Sequence, residues 1–364
     1  MKIKVLHANM KIFSRKTFSA LLDYSPSKHK KDIYSRPFTA VIYAVAKLGD
    51  GISCSIIVNA IFEAHPDCKL IVVCAKYNRA SFEFIPNVEL VEVSHDKNYL
   101  DMFLAAKKIK KCHPFIDFLI EPNDSNKNGP IVFMRTLKAY KNVTFRNKVM
   151  KMFGRVISHG INEEKQVVTR ADEIVKAMRS HGFMATNEKF VFHIDPMAEN
   201  TINKFLCGSI SKDYIAINLY GSGKRVINND AAIKIINEII CNFNIDVVLL
   251  CDPNTSKNVN EISSKFDDVF CYHETKTIHE SAAIIKKARC LISPDTSLVH
   301  VAGALDVPTL AVFIDKWNQA SWPPTATVSM SVLCEDMNKI SYGDISPFLD
   351  KVLGDCYKDE RKTQ

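Results

Sequence analysis

The sequence has no run near the roughly 20 apolar residues that a membrane-spanning helix requires, which excludes an integral membrane transporter built from such helices. Its basic N-terminus, MKIKVLHANMKIFSRK, has no continuous apolar core and no small-residue cleavage site, so a secretory signal is not expected. The 11 cysteines include no C-x-x-C pair and no Cys/His set at zinc spacing. They read as core thiols of a reducing compartment, which excludes a disulfide framework and a structural zinc site. Only 12 glycines are present, and they form neither Gly-x-x-x-x-Gly-Lys nor Gly-x-Gly-x-x-Gly. That removes the P-loop and the dinucleotide fingerprint. No Asp-x-Asp occurs either, so the sequence predicts neither a carboxylate-held metal nor a bound cofactor.

What is present is a soluble globular composition, 47% hydrophobic and 24% charged, in 364 residues. A chain of that length suits two domains of roughly 150 to 200 residues each. The formal net charge of +8 favours anionic partners. Lys and Arg are scattered rather than blocked, so nucleic acid is not indicated, whereas a phosphorylated glycolipid or an anionic membrane surface fits.

Periodicity predicts strand-helix alternation. Residues 1–37 read as an extension whose polar stretch 25–36 is a loop. Strands are expected at 39–45, 69–74, 88–93 and 115–120, with helices at 52–64, 99–111, 131–140 and 167–182. The first domain is placed at 38–190, with 183–200 as linker. A second array follows at 191–345: strands at 214–219, 246–251, 290–293, 309–313 and 328–333, helices at 230–241 and 279–288. Residues 346–364 read as a C-terminal helix and tail.

The stretch 290–324 organises this array. A short strand ends at Pro294, and Asp295, Thr296 and Ser297 offer capping oxygens before a helix expected to begin at Leu298. Its N–H groups and positive dipole end suit a phosphate, and the small residues Ala302, Gly303 and Ala304 let the helix lie close on the sheet. A crossover of this length implies parallel strands, with ligands at their carboxyl ends. Gly221, Ser222, Gly223, Lys224 and Arg225 supply backbone, a hydroxyl and two cations on another strand-end loop. Asp50 and Lys47 lie on the loop after the first strand.

Asp-Thr-Ser-Leu-Val-His at 295–300, followed by Ala-Gly-Ala-Leu-Asp-Val-Pro-Thr at 302–309, resembles the donor-binding signature of glycosyltransferase family 9, the lipopolysaccharide heptosyltransferases. Ser297 stands where that pattern has Gly, and Asp306 where its Gly-x-Pro turn has Gly. Ala46 to Gly51 is similar to the family's first strand-to-helix turn, a basic residue before Leu-Gly-Asp. Residues 221–225 resemble its Gly-x-Ser loop with Lys-Arg-Trp, with Ile227 where Trp is common. Residues 251–262 resemble the segment near the nucleoside, with Glu261 late and no early acidic pair, and residues 275–278 the segment that presents backbone to the base.

The resemblance implies a GT-B fold: α/β, two Rossmann-like doubly wound domains facing a central cleft. It implies an inverting, metal-independent transfer of heptose from ADP-heptose to a lipopolysaccharide core sugar. Asp50 would be the general base. Ser222, Lys224, Arg225, Asp295, Thr296, Ser297, Leu298 and His300 would bind donor, and Lys47, Arg135 and Arg146 an anionic glycolipid acceptor. The expected location is cytoplasmic, with peripheral contact at the inner membrane. The residues alone leave two alternatives open: transfer of another sugar to a capsular, O-antigen or protein acceptor, and a nucleotide-sugar-binding module without catalysis. They equally allow Asp50 to be a helix cap and His300 a packed core histidine.

Overall fold

The computed structural model describes residues 37–95, 97–123, 128–145, 156–158, 168–185, 188–354 and 357. The chain divides into two compact units, Met1–Gln166 with Ala171–Glu188, and Val167–Arg170 with Lys189–Gln364.

The first unit is built on β1 (Thr39–Tyr43), β2 (Lys69–Ala75), β3 (Val88–Val93), β4 (Phe118–Glu121), β5 (Lys141–Thr144) and β6 (Val156–Ser158). All neighbouring strands are parallel, in the order β3-β2-β1-β4-β5-β6. The central strand, TAVIY, is buried along its whole length, as a strand covered on both faces must be. Its helices are α1 (Leu48–Ser53), α2 (Ser55–Ala64), α3 (Tyr99–Cys112), α4 (Gly129–Leu137) and α5 (Arg170–Ser180), whose first residue belongs to the second unit.

One helix expected over 52–64 is two. The Ser53 hydroxyl and the Cys54 thiol both donate to the Asp50 carbonyl, at 2.7 and 3.2 Å, and compete with the backbone for it. The Cys54 N–H turns back to Gly51 O in a tight turn, and the helix restarts. Residue 141, one position past the helix expected at 131–140, opens β5. Its ammonium lies 5.3 Å from the Phe118 ring centroid, and burial lowers its pKa.

The second unit carries α6 (Pro196–Ser209), α7 (Asn229–Asn242), α8 (Ser256–Ser263), α9 (Ile278–Lys287), α10 (Ser297–Ala304), α11 (Lys316–Ser321) and α12 (Tyr342–Leu353). Its strands are β7 (Tyr214–Asn218), β8 (Asp246–Leu250), β9 (Val269–Cys271), β10 (Leu291–Pro294), β11 (Thr309–Phe313) and β12 (Ser329–Leu333), parallel in the order β12-β11-β10-β7-β8-β9. Counted from each unit's own first strand, the two sheets have the same order, third-second-first-fourth-fifth-sixth. Pro196, read as part of a linker, opens α6 behind the Asp195 cap, where a missing N–H is harmless. The helix assigned to a separate C-terminal segment packs Ile345, Phe348, Leu349 and Leu353 into the second core. The extension before residue 37, Arg146 and nearly all of the tail lie outside the described residues.

Candidate functional site

In a doubly wound sheet the ligand crevice opens at the carboxyl ends of the two strands where the order reverses. In the second unit these are β7 and β10. The loops that follow them are the ones the sequence singled out.

The two strand ends are stitched by a side chain that sequence reasoning did not assign. Asn218, buried at the last position of β7, donates to Tyr220 O at 3.1 Å and across to the Ser293 hydroxyl of β10 at 3.0 Å. The legible signal was an amide at the end of an otherwise apolar strand, which burial tolerates only when it is bonded. The chain then makes a small hairpin, with Tyr220 bridged antiparallel to Val226 and the buried Ile227 anchoring its return. Gly221 is demanded by crowding: a Cβ there would lie 2.8 Å from Arg225 O and 3.1 Å from Thr296 Cγ2. The hairpin therefore leans directly on the loop after β10.

Arg225 fixes that contact. Its guanidinium donates to the Asp295 carboxylate and to the Asp295 carbonyl, both at 2.6 Å, and to the Ser222 hydroxyl. This alters two assignments. Asp295 does not cap the helix; it neutralises Arg225 in a half-desolvated pair. Arg225 in turn spends its fork on the protein and positions the loop. The cap is Thr296, whose hydroxyl accepts from Leu298 N–H at 3.3 Å, and α10 begins at Ser297, one residue earlier than expected. The Leu298 N–H expected to face a diphosphate is thus occupied. Ser297 N–H, at the first helical position, is the donor that the helix leaves open. Lys224 sits exposed at the hairpin tip and makes no ion pair among the described residues. The assembly is a helix N-terminus, an open N–H and an uncommitted ammonium on one rigid frame. That is the electrostatics of an anion site.

His300 lies one turn into α10, 6% exposed, packed against the rings of Phe190 and Trp322 with centroids at 5.7 and 5.1 Å. Burial pushes its pKa down to about 4, opposed by the nearby Asp295 charge, and its Nδ1 has no hydrogen-bond partner. It is a neutral, aromatic-packed histidine under the site. Around the second strand, Asp252 turns its carboxylate back on Asn254 and Thr255 N–H at 2.8 and 2.9 Å. Cys251 and Cys271 touch at 3.5 Å between sulfurs, and the bond from Cys271 holds the Cys251 thiol below its ordinary pKa. Residues 275 and 277 hold the turn before α9, where Thr277 and Glu280 form a capping box.

The corresponding reversal in the first unit lies between β1 and β4. Lys47 is exposed at the N-cap of α1, without a side-chain cap bond, and Asp50 is half-buried in the first helical turn. Asp50 is therefore not the helix cap. The buried Asn78 ties the frame here, accepting from Ala75 N–H at 2.8 Å and donating to Ala44 O at 2.6 Å. Glu121, buried at the end of β4, is a second carboxylate at this reversal that the sequence reading left without a role. Arg135 is half-buried in the last turn of α4. Among the described residues no group of three or more His, Cys, Asp or Glu is placed to hold a metal ion, and no helix is long and apolar enough to cross a membrane.

Known proteins share this fold. The chain is 24% identical over 281 residues to an Escherichia coli (strain K12) protein named as a candidate lipopolysaccharide heptosyltransferase 4, an alignment covering 75% of this chain and 73% of that one. A family 9 glycosyltransferase from Veillonella parvula superposes with a TM-score of 0.72 at 14% identity, over 87% of this chain and 97% of the other. The E. coli ADP-heptose lipopolysaccharide heptosyltransferase II gives 0.69 at 13% identity, over 87% and 98%. The E. coli heptosyltransferase WaaC with ADP gives 0.65 at 13%, over 86% and 97%. At these identities the superpositions establish the two-domain α/β fold of the GT-B heptosyltransferases. The model of glycosyltransferase family 9 (heptosyltransferase) matches residues 117–343, well over half the sequence and including both loops of the second switch point. The chain belongs to glycosyltransferase family 9 and is a glycosyltransferase.

Proposed function

We propose that the protein transfers heptose from ADP-heptose to a sugar hydroxyl of the lipopolysaccharide core, with inversion and without a metal ion. The observation that carries the reading is the Gly221 hairpin locked onto the β10 loop by Arg225 and Asp295. The hairpin that carries the exposed Lys224 thereby rests on the residues that open a helix. A leaving diphosphate needs such fixed positive charge, and a preorganised frame supplies it without reorganisation at the moment of bond cleavage.

In the proposed reaction the acceptor oxygen attacks the anomeric carbon from the face opposite the diphosphate. Its proton passes to Asp50 as the bond to ADP breaks, and the negative charge stays on ADP. Lys224, the Ser222 hydroxyl and Ser297 N–H stabilise that charge. Arg225 and Asp295 position the loop, and Thr296 caps the helix. Lys47 and Arg135 are proposed to contact an anionic acceptor. The protein works in the cytoplasm, on a glycolipid at the inner membrane, and needs no cofactor.

Thermal denaturation with nucleotide diphosphates tests the donor assignment. ADP at a hundred times its dissociation constant adds about 2.7 kcal/mol of stability, whereas UDP and GDP leave the melt unmoved. A shift with UDP or GDP and none with ADP removes ADP-heptose. Transfer that persists in EDTA supports the metal-free mechanism; loss of transfer that magnesium restores overturns it.

A further inference from the structure

Helix α3 carries an outer face that does not belong to an ordinary soluble domain. Four of the eight large exposed hydrophobic residues among the described residues lie on its first two turns: Tyr99, Leu100, Phe103 and Leu104, between 39% and 66% exposed. Its opposite face is conventional, with Met102, Ala105, Ala106 and Ile109 buried in the first core. At 100° per residue Leu100, Phe103, Leu104, Lys107, Lys108 and Lys111 fall on one side of the helix, centred opposite the buried stripe. The exposed side is thus apolar in its first half and cationic in its second. Lys107 is exposed, with its ammonium 5.5 Å from the Phe103 ring centroid, so its stem runs along the apolar patch while its charge stays outside.

We infer that this face of α3 is a membrane-docking surface that lies on an anionic bilayer. A clustered apolar patch on a surface helix marks an interaction site. The charge selects the occupant: a row of lysines beside exposed leucines complements acidic lipid headgroups above acyl chains, and the whole chain carries +8. Leu100, Phe103 and Leu104 enter the headgroup boundary, while Lys107, Lys108 and Lys111 reach the phosphates. The surface stands on this helix alone; its service to catalysis rests on the lipid-anchored acceptor proposed above.

Flotation of the full chain with vesicles of phosphatidylglycerol and phosphatidylcholine, against phosphatidylcholine alone, tests it. The chain is expected to float with the anionic vesicles and to be released as salt is raised. Leu100→Gln with Leu104→Gln lowers the partition about tenfold or more, and neutralisation of Lys107, Lys108 and Lys111 to glutamine lowers it about fivefold per lysine. Both variants keep the wild-type circular dichroism and the same ADP-induced melting shift, which separates lost docking from lost folding. Variants that float like wild type overturn the inference. So does a wild type that ignores vesicles, whether it stays monomeric or forms a dimer that the leucine pair abolishes, the latter assigning the face to a second copy. Vesicle binding as described, with no response to ADP, removes the donor assignment and leaves this surface standing.

Discussion

The two units share a strand order but brace their switch points differently. In the second, the loops after β7 and β10 hold each other, through Asn218 to Ser293, Gly221 against Thr296 and Arg225 to Asp295. In the first, the segment after β1 leans on the segment after β2: the Ser81 hydroxyl donates to Leu48 O at 3.0 Å, and a Cβ at Gly51 would lie 2.6 Å from that hydroxyl. The bonds named here cross the crevice in the second unit and run along its side in the first. The difference suits the tasks proposed for them. A diphosphate of fixed geometry rewards rigid, preorganised charge, while an acceptor hydroxyl needs one well-placed base.

That contrast breaks most visibly at Asp50. Asp50→Asn is expected to slow transfer about 10² to 10⁴-fold, with donor affinity unchanged, as initial rates and an ADP titration report. Near-normal turnover would move the base elsewhere in the first unit, with Glu121 the next residue to substitute. On the cross-linked side, Gly221→Val drives a side chain into Arg225 O and separates the two loops. Overpacking of this kind costs about 1 to 3 kcal/mol, and the ADP-induced melting shift should vanish while the far-ultraviolet spectrum persists.

Arg225→Met tests the clamp itself. It leaves the Asp295 carboxylate without its cation, and urea unfolding should report a loss of about 2 to 3 kcal/mol. Asp295→Asn keeps a bonding oxygen and should lose about half of that, with turnover largely retained. If Asp295→Asn instead abolishes turnover at saturating donor, the carboxylate takes part in the chemical step.

The smallest effect expected near neutral pH is at His300. Its folded pKa, near 4, lies below the ordinary 6.5, so the unfolded chain takes up the proton first. Stability is therefore full above pH 6.5 and declines as pH falls toward 4, by up to about 3 kcal/mol. In His300→Leu that part of the slope should be missing from denaturation curves taken across the interval. An unchanged slope would mean that the ring is already protonated in the folded protein.

The fold was legible where β-branched and apolar residues dominate a strand, even with glutamates between them. Val88–Val93 and Thr309–Phe313 emerge with the bounds read from the sequence. It was illegible where pairing outweighs pattern: β5, KNVT, is a strand because its register with β4 makes it one. The site was legible as a set of loops and less so as a set of bonds. Glycine and hydroxyl residues announced the Gly221 and Asp295 segments, yet nothing local says that Arg225, 70 residues earlier, claims Asp295. The same blindness hid Asn218, whose partners lie on another strand.

Asp306 shows how a side chain can offset the strain of its own backbone. It follows α10 with φ of 54°, while Val307 N–H closes on Ala302 O and its own N–H on Gly303 O, the paired hydrogen bonds of a helix ended by one left-handed residue. Such a backbone disfavours a side chain by about 1 to 2 kcal/mol. The carboxylate answers by accepting from Thr327 N–H and from the Thr327 hydroxyl, both at 2.8 Å, and by pairing with Lys189 at 3.3 Å. Asp306→Gly would therefore relax the turn and remove the carboxylate that Thr327 and Lys189 share. Asp306, Thr327 and Lys189 therefore form a coupled trio in which a strained backbone and a bonded carboxylate offset each other within one turn.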